Sequence, residues 1–148
     1  MSKILCAVAP DAEERIRRIL PADLLLFAET LQAAEDALEK DRIALIVVGA
    51  RFDESRMFDL LDYLRKHAEH KKIPIVAAVI GLTTMSRETL QGLAHATKIF
   101  GASVFVNLND FADDETENAR LRLVMHALIL PPSLIPVVAA KVGLQQSQ

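Results

Sequence analysis

The stretch from Arg42 to Lys66 constrains the fold most, because it joins a fully apolar strand to an amphipathic helix. Ile43–Val48 is a short, largely β-branched run that is closed by Gly49. Such a run is typical of a strand that is buried on both faces of a parallel sheet. After a loop, apolar residues recur at spacings of three and four, at Met57, Leu60, Leu61 and Leu64. This spacing predicts a helix that packs one apolar stripe against the sheet.

The same alternation of strand and helix continues along the chain to about residue 130. The predicted strands are 4–9, 24–28, 43–48, 74–80 and 102–108. The inner faces of the other helices are predicted at Ile16, Ile19 and Leu20, at Leu31, Ala34 and Leu38, at Leu90, Leu93, Ala94 and Thr97, and at Leu121, Val124 and Leu128. Five alternations predict a single α/β domain of flavodoxin-like type, with a doubly wound, five-stranded parallel sheet in the order 2-1-3-4-5.

Polar residues suited to helix starts precede the predicted helices. Caps are predicted at Asp11, Thr30, Ser86 and the acidic run 113–115, with Glu14 completing a capping box behind Asp11. Asp53 and Glu54 are interpreted as caps of the helix that follows the third strand. The pair Phe100-Gly101 is typical of a helix end.

Composition indicates an ordinary globular protein and gives no sign of a nucleic-acid or membrane partner. The 148 residues are 51% hydrophobic and 25% charged, and the formal net charge is −3. No apolar run reaches the roughly 18 residues of a spanning helix, and the start MSKILCAVAPDAEER does not fit a cleaved signal peptide. The single cysteine, Cys6, suits a reducing compartment. We therefore expect a cytoplasmic protein.

Ligands of such folds bind beyond the carboxyl ends of the strands, so the segment Gly49–Ser55 is predicted to lie at the functional edge. Polar residues of neighbouring loops should reach the same edge. Those that could bind a small polar ligand there are Asp11, Asp53, Thr83, Thr84, Asn107, Asn109 and Asp110. The alternative is that they are ordinary loop residues. None of the five glycines forms a phosphate-binding G-x-G-x-x-G loop.

With five strand–helix units in place, residues 3–130 resemble the receiver domain of two-component response regulators. The family's motif around its third strand aligns without a gap, so that Gly49 falls at the phosphorylated aspartate and Asp53 at the loop proline. The run Phe58-Asp59-Leu60-Leu61 resembles the family's helix start. Lys72–Val76 and Gly101–Val106 resemble its fourth and fifth strands.

The resemblance implies that the family's phosphoryl chemistry is missing. That chemistry needs a carboxylate nucleophile, two acids that hold Mg²⁺, a hydroxyl and a lysine. The corresponding positions are occupied by Val8 and Ala9 for the acid pair, Gly49 for the nucleophile, Val79 for the hydroxyl and Leu108 for the lysine. Phe105 falls at the family's aromatic switch position without its hydroxyl partner. We therefore predict a degenerate receiver that binds no metal or cofactor and is not an enzyme. The alternative to the capping role of Asp53 and Glu54 is that one of them serves as a displaced phosphoacceptor.

Two further constellations have ordinary interpretations beside functional ones. Cys6 invites comparison with phosphocysteine carriers, but it precedes neither glycines nor serines, which favours a buried core thiol. His67, Glu69 and His70 could form a metal site at the end of a helix. No third ligand of suitable spacing is evident, and cationic residues are common near helix C-termini.

The apolar extension 131–148 departs from the alternating pattern and ends in a polar Gln-Gln-Ser-Gln. We interpret 1–130 as the domain and predict that the extension, with the face of the fourth and fifth helices, forms a homodimer; packing on its own domain is the alternative. The leading hypothesis for function is a signalling module that binds a partner protein. The rival is a small-molecule sensor, and an unrecognised enzyme is a third option.

Overall fold

The computed structural model describes residues 2–81 and 85–129. Five strands form one parallel sheet in the order β2-β1-β3-β4-β5, which confirms the predicted fold class. The strands are Lys3–Ala7 (β1), Leu25–Ala28 (β2), Ile43–Gly49 (β3), Ile75–Val79 (β4) and Val104–Asn107 (β5). Each is shorter than or close to its predicted range, because the strand-end residues Val8, Ile80 and Leu108 are apolar and buried but lie outside the ladder.

A helix follows each strand. They are Glu13–Ile19 (α1), Leu31–Lys40 (α2), Met57–Lys66 (α3), Arg87–Ile99 (α4) and Glu115–Ala127 (α5). Short 3₁₀ turns occur at Pro10–Ala12, Ala22–Leu24, Ala68–His70 and Leu108–Asp110. Met57, Leu60, Leu61 and Leu64 are all buried, so the predicted stripe of α3 is confirmed.

The sheet separates two apolar clusters, and the two-residue period of the strands assigns side chains to each. Leu45 and Val47 of β3 pack in the first cluster with residues of α1 and α5. Ile46 and Val48 pack in the second cluster with residues of α2 and α3. The central strand is therefore buried on both faces, which is why its sequence is a continuous apolar run rather than an alternating one.

Local capping explains where several helices begin and end. Thr30, Ser86 and Asp114 each accept a bond from a backbone N–H in the first turn of its helix, as predicted. Helix α4 ends in a Schellman motif, in which Gly101 N–H donates to Lys98 O and Ala102 N–H to Thr97 O. Gly101 has φ +103°, a conformation that favours glycine.

The predicted capping box at Asp11 and Glu14 is wrong. A 3₁₀ turn over Pro10–Ala12 precedes α1, so Asp11 lies within that turn, and the cap position falls on Ala12 without a side-chain bond. The prediction that Asp53 and Glu54 cap the helix after β3 is also wrong. The cap position of α3 is Arg56, and the Asp53 carboxylate is bonded elsewhere.

The backbone after β3 makes a single left-handed turn. Asp53, Glu54 and Ser55 have φ values of 44°, 55° and 70°, although none of them is glycine. Such a conformation costs an L-residue roughly 1–2 kcal/mol. One compensating contact is visible, because Asp53 Oδ2 accepts a 2.8 Å bond from the Leu31 N–H at the start of α2. The turn thus provides a second cap for α2, beside Thr30.

Candidate functional site

The receiver-like positions lie where the resemblance places them, at the carboxyl ends of four neighbouring strands. Gly49 and Val79 are the last residues of β3 and β4, and Val8 and Leu108 follow β1 and β5 directly. All four residues are buried, while Ala9 is half-buried. The carboxyl ends of these strands therefore carry apolar side chains and a glycine. None of these side chains can donate a proton, carry a charge or attack a phosphoryl group.

Gly49 has room for a Cβ atom. A Cβ built at this position would meet Val8 Cγ1 at 3.5 Å and Val8 Cβ at 3.7 Å, which are ordinary van der Waals distances. The backbone conformation of Gly49 is not one that favours glycine. Neither the packing of a Cβ nor backbone strain therefore requires glycine here.

An ion pair joins the loops at this edge. Arg51 Nη1 lies 2.7 Å from Asp11 Oδ2, linking the loop after β3 to the turn after β1. Gly81, after β4, packs against the same carboxylate with φ +92°; a Cβ there would lie 2.6 Å from Asp11 Oδ2. Three loops thus meet at one carboxylate. Sequence reasoning missed Arg51, since only its position two residues after the strand end marked it.

A cleft of about 430 Å³ opens beside this ion pair. Its polar lining consists of Glu29, Thr30, Arg51, Asp53, Glu54 and Ser55. The lining carries three carboxylates and one guanidinium, which is already paired with Asp11, so its net charge is negative. Arg56 Nη1, outside the lining, lies 4.0 Å from Asp53 Oδ2 and offsets part of that charge. Glu29 also acts on a neighbour: burial and a hydrogen bond with Glu29 raise the pKa of Glu13. An acidic cleft disfavours phosphate and favours a cationic or polyhydroxyl ligand.

The predicted ligand residues are only partly brought together. Asp11 and Asp53 lie at the same edge, on either side of Arg51. Asn107 lies on β5, where its Oδ1 accepts a 3.1 Å bond from Asn109 N–H, and it lines a different cavity. Thr83 and Thr84 lie outside the described residues. Phe105 is half-buried and packs against the second apolar cluster.

His67, Glu69 and His70 sit at the opposite edge of the sheet. The His67 and His70 ring centroids are 6.2 Å apart, and His67 Nδ1 lies 2.7 Å from the Tyr63 carbonyl oxygen. Glu69 Oε1 is 3.9 Å from His70 Nε2, too far for a hydrogen bond. Across residues 2–81 and 85–129, no group of three or more His, Cys, Asp or Glu side chains could hold a metal ion.

Cys6 lies in the middle of β1 with no exposed surface. Burial raises the pKa of its thiol to about 12. A thiol that is neutral at physiological pH and closed to solvent is a poor nucleophile. The placement agrees with the interpretation of Cys6 as a core residue.

Within the described part of the chain, no helix is long and apolar enough to cross a membrane. The sequence matches no family model and no curated protein. Similarity is found with solved structures. The signal receiver domain of a signal transduction histidine kinase from Syntrophus aciditrophicus is 17% identical, with 100% of this chain and 97% of that chain covered and a TM-score of 0.59.

Two response regulators are similar at lower identity. The phosphorylated cyanobacterial phytochrome response regulator RcpA is 12% identical, with 72% of this chain and 81% of that chain covered and a TM-score of 0.52. A response regulator protein from Burkholderia multivorans is 14% identical, with both chains fully covered at 100% and a TM-score of 0.50. Likeness at these identities establishes architecture and leaves activity open. The protein therefore has the fold of the response-regulator receiver domains.

Proposed function

We propose that this chain is a receiver-like signalling module that is not phosphorylated and acts by binding a partner protein. The observation that carries the proposal is the composition of the carboxyl edge. Gly49, which the resemblance assigns to the nucleophile position, has no side chain although a Cβ would fit there, and the buried apolar residues Val8, Val79 and Leu108 lie at the same edge. Phosphoryl transfer to a carboxylate needs a nucleophile and charge neutralisation by metal or lysine. These positions supply neither.

The two carboxylates of the adjoining loops are poor substitutes. Asp11 is held 2.7 Å from Arg51, and Asp53 accepts a 2.8 Å bond from the start of α2. A carboxylate that is bound in this way would have to break its ion pair or hydrogen bond before it attacked a phosphoryl group. Signalling through this fold would then depend on its surface, which suits protein recognition better than catalysis.

The proposal that the protein is not phosphorylated can be tested directly. We expect that beryllofluoride with Mg²⁺ leaves the melting temperature unchanged and that a small phosphodonor adds no phosphate detectable by mass spectrometry. Covalent phosphate on Asp11 or Asp53 would overturn the proposal. Asp11→Asn and Asp53→Asn are the matched variants that would assign any phosphate found.

The proposal that the protein binds a partner protein can be tested by capture of that partner from lysate of the source cells. We expect the same partner at the same yield with and without a phosphodonor and Mg²⁺, because no step of recognition depends on phosphate. A yield that rises with the phosphodonor in a wild-type bait, and does not rise with the Asp11→Asn bait, contradicts the proposal.

A second copy of this chain is a candidate partner. Ile99 at the end of α4 and Leu123 in α5 are large apolar side chains that are 60% and 48% exposed. They lie on the two helices that the sequence assigned to a dimer face. Light scattering should then give twice the monomer mass, and Leu123→Glu should lower it. A monomeric wild type at high concentration excludes this partner.

The acidic cleft supports a second candidate function, the sensing of a small molecule. Its volume of about 430 Å³ falls in the range of about 300–1,000 Å³ typical of ligand pockets. A cationic ligand, with a polyamine as probe, should raise the melting temperature by mass action. Glu54→Gln should weaken that rise, whereas Glu88→Gln, an exposed change in α4 outside the cleft, should not. Equal shifts in both variants would point to nonspecific charge binding.

A further inference from the structure

An apolar groove lies between the edge strand β5 and helix α5, on the opposite side of β5 from Phe105's core contacts. It encloses about 220 Å³. Its apolar walls include Val104, Val106, Phe111, Leu121, Val124 and Met125. Val106, Phe111 and Val124 are only half-buried, and Val106 and Phe111 pack against the first apolar cluster. Apolar walls of this kind favour an apolar occupant over water.

Polar contacts join α5 and the segment before it to α1. Arg122 donates to the Ile19 carbonyl oxygen at the end of α1. Arg18 donates to Asp113 Oδ2 at 2.9 Å, and Arg15 donates to Asn118 Oδ1 at 3.1 Å. On the α5 side of the sheet, Val106 of the outermost strand β5 is only half-buried, so α5 does not cover this strand fully.

The groove is small for a ligand and suited to side chains. Its volume of about 220 Å³ lies below the range of about 300–1,000 Å³ typical of small-molecule pockets. A few aliphatic side chains from a peptide segment would fill it. The occupant should therefore be polypeptide.

The chain itself supplies a segment of suitable chemistry and reach. Residues beyond Ile129 include Leu134, Ile135, Val137 and Val138, which lie outside the described residues. The groove residues Leu121 to Met125 lie two to six residues before the end of α5 at Ala127, a distance of roughly 3–9 Å at 1.5 Å per residue. The five residues 130–134, when extended, span about 16 Å. The segment can return to the groove without a second molecule.

Proline defines how that return would occur. The sequence Pro131-Pro132 disfavours continuation of a helix. Pro136 lies in the middle of the apolar segment and cannot donate to a strand ladder. Docking by side chains into the groove therefore fits the segment better than addition of a sixth strand to β5.

We propose that Leu134–Val138 packs into the groove between β5 and α5 of its own chain and completes the first apolar cluster. This placement differs from the dimer that the sequence alone favoured, since the segment finds its apolar surface within one molecule. The homodimer face of α4 and α5 would then not need the extension.

Cysteine pairs in the full-length chain test the proposal. The native Cys6 is fully buried and does not react in the folded protein, so it leaves a clean background. Val124→Cys combined with Val137→Cys places thiols in the groove and in the segment. Leu123→Cys combined with Val137→Cys is the matched control, because Leu123 is exposed on the same helix and does not line the groove. A short bis-maleimide is the cross-linker.

The groove pair should cross-link within one chain at least about tenfold faster than the control pair, as expected for a held segment with a high effective concentration. Mass spectrometry of the product distinguishes monomer from dimer, and melting curves check that both variants fold. A cross-linked dimer from the groove pair overturns the proposal in favour of exchange between two copies. Equal rates for the two pairs, or no cross-link in either, overturns it as well.

Discussion

Substitution of glycine by alanine tests how the loops after β1, β3 and β4 pack together around the Asp11 carboxylate. Gly81 has φ +92° and leaves space for the Asp11 carboxylate, whose Oδ2 would lie only 2.6 Å from an added Cβ. Gly81→Ala therefore faces two costs. The positive φ costs roughly 1–2 kcal/mol, and displacement of Asp11 sacrifices its ion pair with Arg51. That pair is 35–41% exposed, so its loss is limited to about 1 kcal/mol.

The chain offers controls that separate these two costs. Gly101 has φ +103° but no atom within 4 Å of an added Cβ, so Gly101→Ala measures the backbone cost alone. Gly92 lies inside α4 with open space around it, so Gly92→Ala should stabilise the protein by about 1 kcal/mol. The expected order of stability is Gly92→Ala, wild type, Gly101→Ala and then Gly81→Ala.

Urea unfolding at pH 7 measures these differences as changes in the midpoint at constant m. In a thermal melt, each kcal/mol corresponds to about 2–4 °C for a chain of this size. In the Asp11→Ala background, the cost of Gly81→Ala should fall to that of Gly101→Ala, because the displaced carboxylate is gone. If Gly81→Ala destabilises the Asp11→Ala variant as much as it destabilises the wild type, the contact with Asp11 does not matter. If Gly81→Ala and Gly101→Ala destabilise the wild type equally, the same conclusion follows.

Three further outcomes are expected. The guanidinium of Arg18 holds the pKa of Asp113 at about 2, so Asp113 stabilises the fold above its ordinary pKa and loses that contribution as pH falls towards 2. Asp113→Asn should therefore be less stable than the wild type at pH 4, and this difference should shrink as the pH falls to 2. The urea midpoints of the two proteins, measured across this pH range, give the difference. Asp53→Ala should cost about 1 kcal/mol through the lost cap at Leu31, whereas Asp53→Asn, which keeps an acceptor and tolerates positive φ, should cost less in the same assay. Cys6 should react with a thiol reagent only at the rate of global unfolding, which a stopped-flow comparison with denaturation checks.

The periodicity of apolar residues was sufficient to predict the architecture. Both the two-faced burial of Ile43–Gly49 and the stripe of α3 follow from spacing alone, because the sheet and the helix repeat every two and 3.6 residues. The caps at Thr30 and Ser86 were predictable for the same reason, since a cap contacts a residue three positions on.

Contacts between distant positions were not predictable. Asp53 caps a helix that begins 22 residues earlier, and Asp11 pairs with Arg51 across 40 residues. Each carboxylate was assigned to the nearest helix start, since sequence distance was the only guide to proximity. The left-handed turn at Asp53–Ser55 gave no signal either, because that conformation is expected at glycine and none is present.

The energetics of the edge explain how receiver chemistry could be absent while the fold persists. The two apolar clusters on either side of the sheet stabilise the domain, and they include Val8, Val48 and Leu108 as ordinary core residues. By contrast, the Asp11–Arg51 pair is a partly exposed ion pair worth about 1 kcal/mol or less. Apart from the buried apolar residues, the residues at this edge therefore contribute little to the stability of the fold, and they can be replaced without loss of the fold. At Gly49 an added Cβ would meet only ordinary contacts, and the carboxylates of Asp11 and Asp53 are bound within the chain. Our proposal that this edge is recognised by a partner and does not react rests on that composition.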